Sequence, residues 1–194
     1  MTRVIAGEAG GRRLAVPAGR DTRPTSDRAR EGLFGTIVSL AGPLTGKRVL
    51  DLYAGSGAVG IEALSRGAEH VLLVESGRPA VATIRANIEA IGLPGAAVVA
   101  DRAERVIAAG PDTRYDVVFA DPPYAVPDAE ISALLGGLAA RGWLGPDALV
   151  VVERATRSGQ LNWPAGYRPE RSRRYGDATF WYGLAPEAGA LVDE

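Results

Sequence analysis

The chain of 194 residues contains no cysteine, one histidine and one methionine, and only 6% of it is aromatic. Lack of cysteine excludes disulfides, thiolate zinc sites, iron–sulfur clusters and a cysteine nucleophile. The lone histidine, His70, opens an apolar run and reads as structural, so no metal site is expected. No apolar stretch is long enough to span a bilayer, and the start Met1-Thr-Arg-Val-Ile-Ala-Gly-Glu8 lacks the hydrophobic segment of an export signal. A cytoplasmic protein with no membrane partner is therefore expected.

What remains is an ordinary globular composition, 46% apolar and 23% charged, of a length that suits one full-core domain. The net charge of −1 hides an asymmetry: residues 1–48 carry nine Lys/Arg against four Asp/Glu, and residues 49–150 carry seven against thirteen. A basic N-terminal segment on an acidic body fits a polyanion docked on one side, or equally a solvated, flexible arm.

Residues 3–16 alternate weakly and are broken by glycines, which predicts a short hairpin followed by a polar loop at 17–24. A helix is expected to start at Thr25 or Ser26, with Ala29, Leu33, Ile37 and Ala41 forming one buried stripe before Gly42-Pro43 ends it. From residue 47 the chain alternates strands at 48–53, 70–75, 96–100, 115–120 and 148–153 with helices near 57–66, 78–92, 102–109 and 128–141. Continuous apolar strands predict a parallel sheet covered on both faces. Runs at 167–175 and 178–184, joined by Gly176-Asp177, predict a closing antiparallel hairpin.

Four acids end four successive strands: Asp51, Glu75, Asp101 and Asp121. Ligands of open α/β sheets lie outside these strand ends. The first strand leads into Tyr53-Ala-Gly55-Ser-Gly57-Ala-Val-Gly60, where Gly55 and Gly57 allow a sharp turn and close ligand approach and Gly60 allows tight helix packing. That pattern alone fits NAD, FAD or S-adenosylmethionine. Asp51 would repel a pyrophosphate but accept from the amino group of a methionine moiety. Glu75 suits ribose hydroxyls, Asp101 the adenine amino group, and the Arg102 backbone N–H the adenine ring nitrogen. Asp101 reads alternatively as a helix cap.

The segment Asp121-Pro122-Pro123-Tyr124 presents a carboxylate, proline carbonyls that face outward as acceptors, and a flat ring. It suits methyl transfer to an exocyclic nucleobase amine, held by Asp121 and the Pro122 carbonyl and stacked on Tyr124. Arg3, Arg12, Arg13, Arg23, Arg28 and Arg30, helped by Arg171, Arg173 and Arg174, are the expected backbone contacts.

On these residues the chain resembles the class I S-adenosylmethionine-dependent methyltransferases over about residues 25–185. Asp51-x-x-x-Gly55-x-Gly57 is similar to their first motif, and Asp121-Pro-Pro-Tyr124 to the fourth motif of the amino-methylating subgroup. The segments Arg3-Val-Ile-Ala-Gly7, Gly10-Gly-Arg-Arg-Leu14, Arg23 to Phe34 and Arg174-Tyr-Gly-Asp-Ala-Thr179 narrow the resemblance to the RsmD family. It implies a Rossmann-like, mostly parallel sheet (residues 25–186), a basic RNA-contacting extension (1–24) and a tail (187–194). It further implies S-adenosylmethionine bound by Asp51, Tyr53, Gly55, Gly57, Glu75, Asp101 and Arg102. The implied reaction is methylation of guanine N2 in 16S ribosomal RNA, within an assembling or assembled small subunit, by a monomer. One departure is Gly32-Leu-Phe-Gly35, where the family leads one to expect Ala and Asn in place of the glycines.

Other readings are adenine-N6 methylation of DNA, methylation of a glutamine amide, and a degenerate fold that only binds RNA. The intact acids and glycines disfavour the last, and the lack of a separate target-recognition domain disfavours sequence-specific DNA methylation. A nicotinamide dehydrogenase leaves Asp51 and Asp121–Tyr124 unexplained.

Overall fold

The computed structural model describes residues 1–18 and 25–187, so Arg23 lies outside the described residues. A small antiparallel pair, β1 (Thr2–Arg3) and β2 (Arg13–Leu14), precedes helix α1 (Asp27–Ala41). The order then runs β3 (Arg48–Leu52), α2 (Ala58–Ser65), β4 (His70–Val74), α3 (Arg78–Ile91), β5 (Ala96–Val99) and α4 (Ala103–Ala109). It continues with β6 (Tyr115–Ala120), α5 (Asp128–Ala140), β7 (Leu144–Ala155), β8 (Arg168–Tyr175) and β9 (Ala178–Leu184). The seven-stranded sheet has the order β5-β4-β3-β6-β7-β9-β8, with the first five parallel, β9 antiparallel to β7 and β8 antiparallel to β9. The expected α/β architecture with a C-terminal hairpin is the one found.

Side chains of neighbouring strand positions face opposite sides, and here both sides are apolar. Val49, Leu73, Phe119 and Val151 pack beneath Leu33, Phe34 and Ile37 of α1. Leu50, Leu52, Val118 and Val152 pack beneath Leu134, Leu135 and Leu138 of α5. Covering both faces excludes water from the parallel ladder and leaves the strand ends as the ligand-accessible edge. Strand β7 begins at Leu144, earlier than its apolar run suggests. A register irregularity allows Leu144 to pair with Tyr115 before the regular pairing Val117 to Leu149.

The N-terminal segment is not a loose arm over residues 1–18. Val4, Ala9 and Leu14 are buried against Ile61 of α2 and Ile91 of α3. The buried Glu62 carboxylate accepts the Ile5 N–H at 2.7 Å, the Ala6 N–H at 3.0 Å and the Arg66 Nε at 2.8 Å. Ser65 accepts the Ala9 N–H at 2.9 Å and donates to the Ala6 carbonyl at 2.6 Å. Asn87 of α3 accepts the Ala15 N–H at 2.8 Å and donates to the carbonyls of Ala15 and Ser56, so the same side chain touches the glycine-rich turn.

Helix α1 is capped by Ser26, whose hydroxyl accepts the Ala29 N–H at 3.1 Å. Its two interior glycines have different surroundings. A Cβ at Gly32 would collide with the Tyr175 hydroxyl, so glycine there lets the β8–β9 hairpin close onto α1. A Cβ at Gly35 would meet nothing, and no contact explains that glycine. Gly32→Ala should therefore destabilise by about 1–3 kcal/mol through overpacking, with Tyr175→Phe recovering only part of the loss, because the ring Cζ would still lie 2.6 Å from the new Cβ. Gly35→Ala should stabilise by up to about 1 kcal/mol from helix propensity. Thermal and urea unfolding of the single and double variants checks both signs.

Candidate active site

Strand order reverses between β3 and β6, and the loops after these strands meet at that switch point. After β3 the chain turns through Tyr53 and Gly55, both at positive φ (59°), and Gly57 at 80°, before α2 begins. Positive φ at Tyr53 is unusual for a side chain of that size. It directs the hydroxyl to Glu104 of α4, to which it donates at 2.7 Å. The Gly60 N–H in the first turn of α2 donates to Asp51 at 2.9 Å, and a Cβ at Gly60 would press within 2.9 Å of Val71 and Leu73.

Glu75, at the end of β4, accepts the Gly55 N–H at 2.9 Å and the Gly77 N–H at 2.8 Å. The turns that follow β3 and β4 are thereby tied together by one buried carboxylate. Asp101 is more exposed; it accepts the Arg102 N–H at 2.7 Å and lies 3.6 Å from the Arg105 guanidinium. The donor and the acceptor expected for adenine thus hydrogen-bond to each other.

Asp121 follows β6, and its N–H donates to the Leu52 carbonyl at 3.2 Å. Burial and the nearby charges of Glu153 and Asp51 push its carboxyl well above the usual carboxylate range. Burial likewise raises Asp51 to about 7, with Glu75 adding to the rise and the Gly60 N–H opposing it. Tyr124 is 41% exposed and forms one wall of a cleft of about 340 Å³. The remaining walls are Ala155 at the end of β7, Thr156 and Arg157 just after it, and Arg174 and Asp177 of the β8–β9 hairpin. An aromatic face beside two cations and a carboxylate can stack and hydrogen-bond a planar polar ring.

The family profile described as Conserved hypothetical protein 95 matches residues 2–183. A ribosomal RNA small subunit methyltransferase D of Escherichia coli strain K12 is 35% identical over 178 residues, covering 92% of this chain and 87% of that one. The chain belongs to the RsmD family. Another protein of that name, from Haemophilus influenzae, is 34% identical over 154 residues, covering 78% of this chain and 77% of its own. The solved structure of the Escherichia coli protein yhhF superposes with a TM-score of 0.84 at 31% identity, covering 96% of this chain and 98% of that one.

The arginines of this RsmD-family chain divide into two groups. Arg30 is a correction to the expected backbone contacts: it is 1% exposed, and its guanidinium donates to Thr2 at 3.2 Å, to the Arg3 carbonyl and to Asp27. Buried 3.8 Å from Glu62, it braces the N-terminal segment instead of facing a ligand. Arg12 is exposed at the surface, yet it donates to the Ala90 and Ile91 carbonyls and caps the C-terminus of α3. Arg3 pairs with Asp27 at 2.8 Å and remains largely exposed. Arg13, Arg28, Arg171, Arg173 and Arg174 are exposed, the last three along the edge strand β8.

Sequence reasoning missed Glu153, Arg154, Arg157 and Asp177. Glu153 is buried near the end of β7, beside Asp121. Arg154, also buried, donates to the Val126 carbonyl at 2.9 Å and to Asp128 at 3.1 Å, fixing the loop that carries Tyr124. The available signal was two charges closing a run of four apolar residues, Leu149 to Val152, in a strand buried on both faces. Because burial raises Asp51 above its ordinary value near 3.8, the folded protein holds a proton that the unfolded chain releases. Stability of the ligand-free protein should therefore fall as pH rises from about 4 to 7, by at most about 4 kcal/mol from this group. Asp51→Asn should flatten that slope, as urea unfolding across the pH range will show.

Proposed function

We propose that this protein transfers the methyl group of S-adenosylmethionine to the exocyclic N2 amine of a guanine in 16S ribosomal RNA. The observation that carries the reading is Asp121-Pro-Pro-Tyr124 at the switch point, with Tyr124 forming a wall of the open cleft. The acids nearby favour a cationic donor: Glu75 raises the proton affinity of Asp51, Asp51 and Glu153 raise that of Asp121, and a bound positive charge relieves that repulsion. A Cβ at Gly55 would point into open space, which leaves room for a ligand against the turn. Glu75, Asp51 and the Gly55–Gly57 backbone would hold the cofactor, with Tyr53, Asp101 and Arg102 around its adenosine end. The cofactor supplies an electrophilic methyl carbon on a sulfonium.

The chain's own residues supply orientation. The guanine amine is a poor nucleophile because its lone pair is delocalised into the ring. Asp121 and the Pro122 carbonyl accept its two hydrogens and turn that lone pair toward the methyl carbon. Pro123 stiffens the turn, and Tyr124 fixes the base plane by stacking, a contact worth about 1–3 kcal/mol. Most of the acceleration then comes from holding donor and acceptor in line. A base inside a helix cannot reach this cleft, so the target guanine is unpaired or flipped out. Arg157 and Arg174 border the cleft, and Arg171 and Arg173 extend the positive edge along β8 toward the flanking phosphates. The substrate is the small subunit, assembling or assembled, met in the cytoplasm by a monomeric enzyme.

Asp121→Ala should lower methyl transfer to unmethylated small subunits by at least about 100-fold while cofactor affinity changes little. Labelled transfer, calorimetric cofactor binding and mass spectrometry of the modified nucleoside check this; methyladenosine as product would overturn the guanine assignment. Replacing Arg171, Arg173 and Arg174 together by Ala should weaken RNA binding and make the logarithmic salt slope shallower by about 2. An unchanged slope would remove β8 from the RNA surface.

A further inference from the structure

The role given to Asp121 leaves a neighbouring carboxyl without a task. Ala120 of β6 pairs with Val152 of β7, and the next residue on each strand is an acid, Asp121 and Glu153. Glu153 is only 6% exposed. Its carboxylate lies 3.5 Å from the Thr25 hydroxyl and is hydrogen-bonded by the Tyr124 hydroxyl. A buried carboxylate whose partners are two hydroxyls, and which acts on a second buried carboxyl beside it, costs stability. Packing alone does not require an acid here, because Phe180, its partner on β9, is apolar.

We propose that Glu153 is a positioning residue of the proton-accepting site, which sets how readily Asp121 takes the proton of the target amine and holds Tyr124 by its hydroxyl. The inference rests on the methyl-transfer reading above. The amine nitrogen gains a methyl carbon from the sulfonium donor, the departing sulfur keeps the bonding electron pair, and the nitrogen must lose one proton. Asp121 touches the amine and takes that proton. The negative charge of Glu153 beside it raises its proton affinity, and the pair releases the proton to solvent through the open cleft. The two carboxyls thus titrate as one unit. Facing Glu153 are Asp121 and Tyr124 from the loop after β6, Thr25 ahead of α1 and Phe180 of β9. Asp51 lies behind Asp121, and Asp177 and Arg157 act on Tyr124 from across the cleft.

The test follows carboxyl titration by carbon-detected NMR in the cofactor-free protein, together with the pH profile of kcat on unmethylated small subunits. Glu153→Gln removes the like charge, so the Asp121 midpoint and the acid limb of kcat should both move down by about one pH unit or more. A less basic acceptor should also lower kcat by about tenfold or more, with cofactor affinity and KM within about twofold. Tyr124→Phe keeps the ring but removes the hydrogen bond that favours the charged Glu153, so it should move the Glu153 midpoint up. An unmoved Asp121 midpoint in Glu153→Gln overturns the inference while leaving wild-type methylation of guanine, and so the parent reading, intact. If Glu153→Gln does not unfold cooperatively, an unmoved Glu153 midpoint in Tyr124→Phe overturns it. Wild-type protein that forms no N2-methylguanosine overturns both.

Discussion

The parallel pairing of β3 with β6 is the constraint on which the site depends. It sets Leu52 beside Ala120 and so brings the loops that follow both strands to one edge of the sheet. From that edge the glycine turn leads into α2 and the Asp-Pro-Pro-Tyr turn leads toward α5. The same pairing forces acids together at low dielectric. Asp51, Asp121 and Glu153 stand on three adjacent strands, and each is held toward its neutral form by burial. Two acids on non-adjacent strands would not feel each other in this way. The site's electrostatics therefore follow from strand order.

The second organising contact lies on the other side of the glycine turn. Glu62 and Ser65 of α2 fix the backbone of residues 5–9, while Asn87 joins Ala15 to Ser56. Removing Glu62 would strand two partly buried N–H groups and leave Arg30 without its buried counter-charge. Through these bonds the N-terminal segment and the glycine turn form one mechanical unit. The first strand pair is thereby anchored to α2, α3 and the glycine turn.

Much of this was legible in the sequence, for identifiable reasons. Period and composition placed the parallel strands to within a residue or two, except at β7, because a strand buried on both faces is a continuous apolar run. Leu144 was missed because the intervening Gly145-Pro-Asp147 reads as a break, while the sheet accommodates it as an irregularity. The glycine turn and Asp121–Tyr124 were legible because their chemistry is local. Arg30 was misassigned because charge alone cannot distinguish a phosphate contact from a buried brace. That distinction depends on Glu62, thirty-two residues further along the chain and invisible to local pattern. Glu153 and Arg154 were passed over for a related reason. A charge at the end of an apolar run reads as the point where the strand leaves the core, whereas here β9 continues the sheet beside it and keeps both side chains buried.

A cluster of like charges at the centre of a catalytic edge is unfavourable in the ligand-free state, so its persistence needs a reason outside stability. On the proposed reading each acid would answer a different positive or proton-bearing group: Glu75 and Asp51 the cationic donor, Asp121 the amine and the proton that leaves it, with Glu153 setting the basicity of Asp121. A neutral replacement such as Asn at Asp121 could still orient an amine. It could not take a proton, and it would have no use for a charged neighbour. On the proposed reading, Glu153 beside an aspartate is the feature that would separate a site which merely orients its amine from one that also accepts the amine's proton. On this argument the repulsion among the acids is part of the mechanism, since it supplies the basicity that a lone, solvated carboxylate lacks.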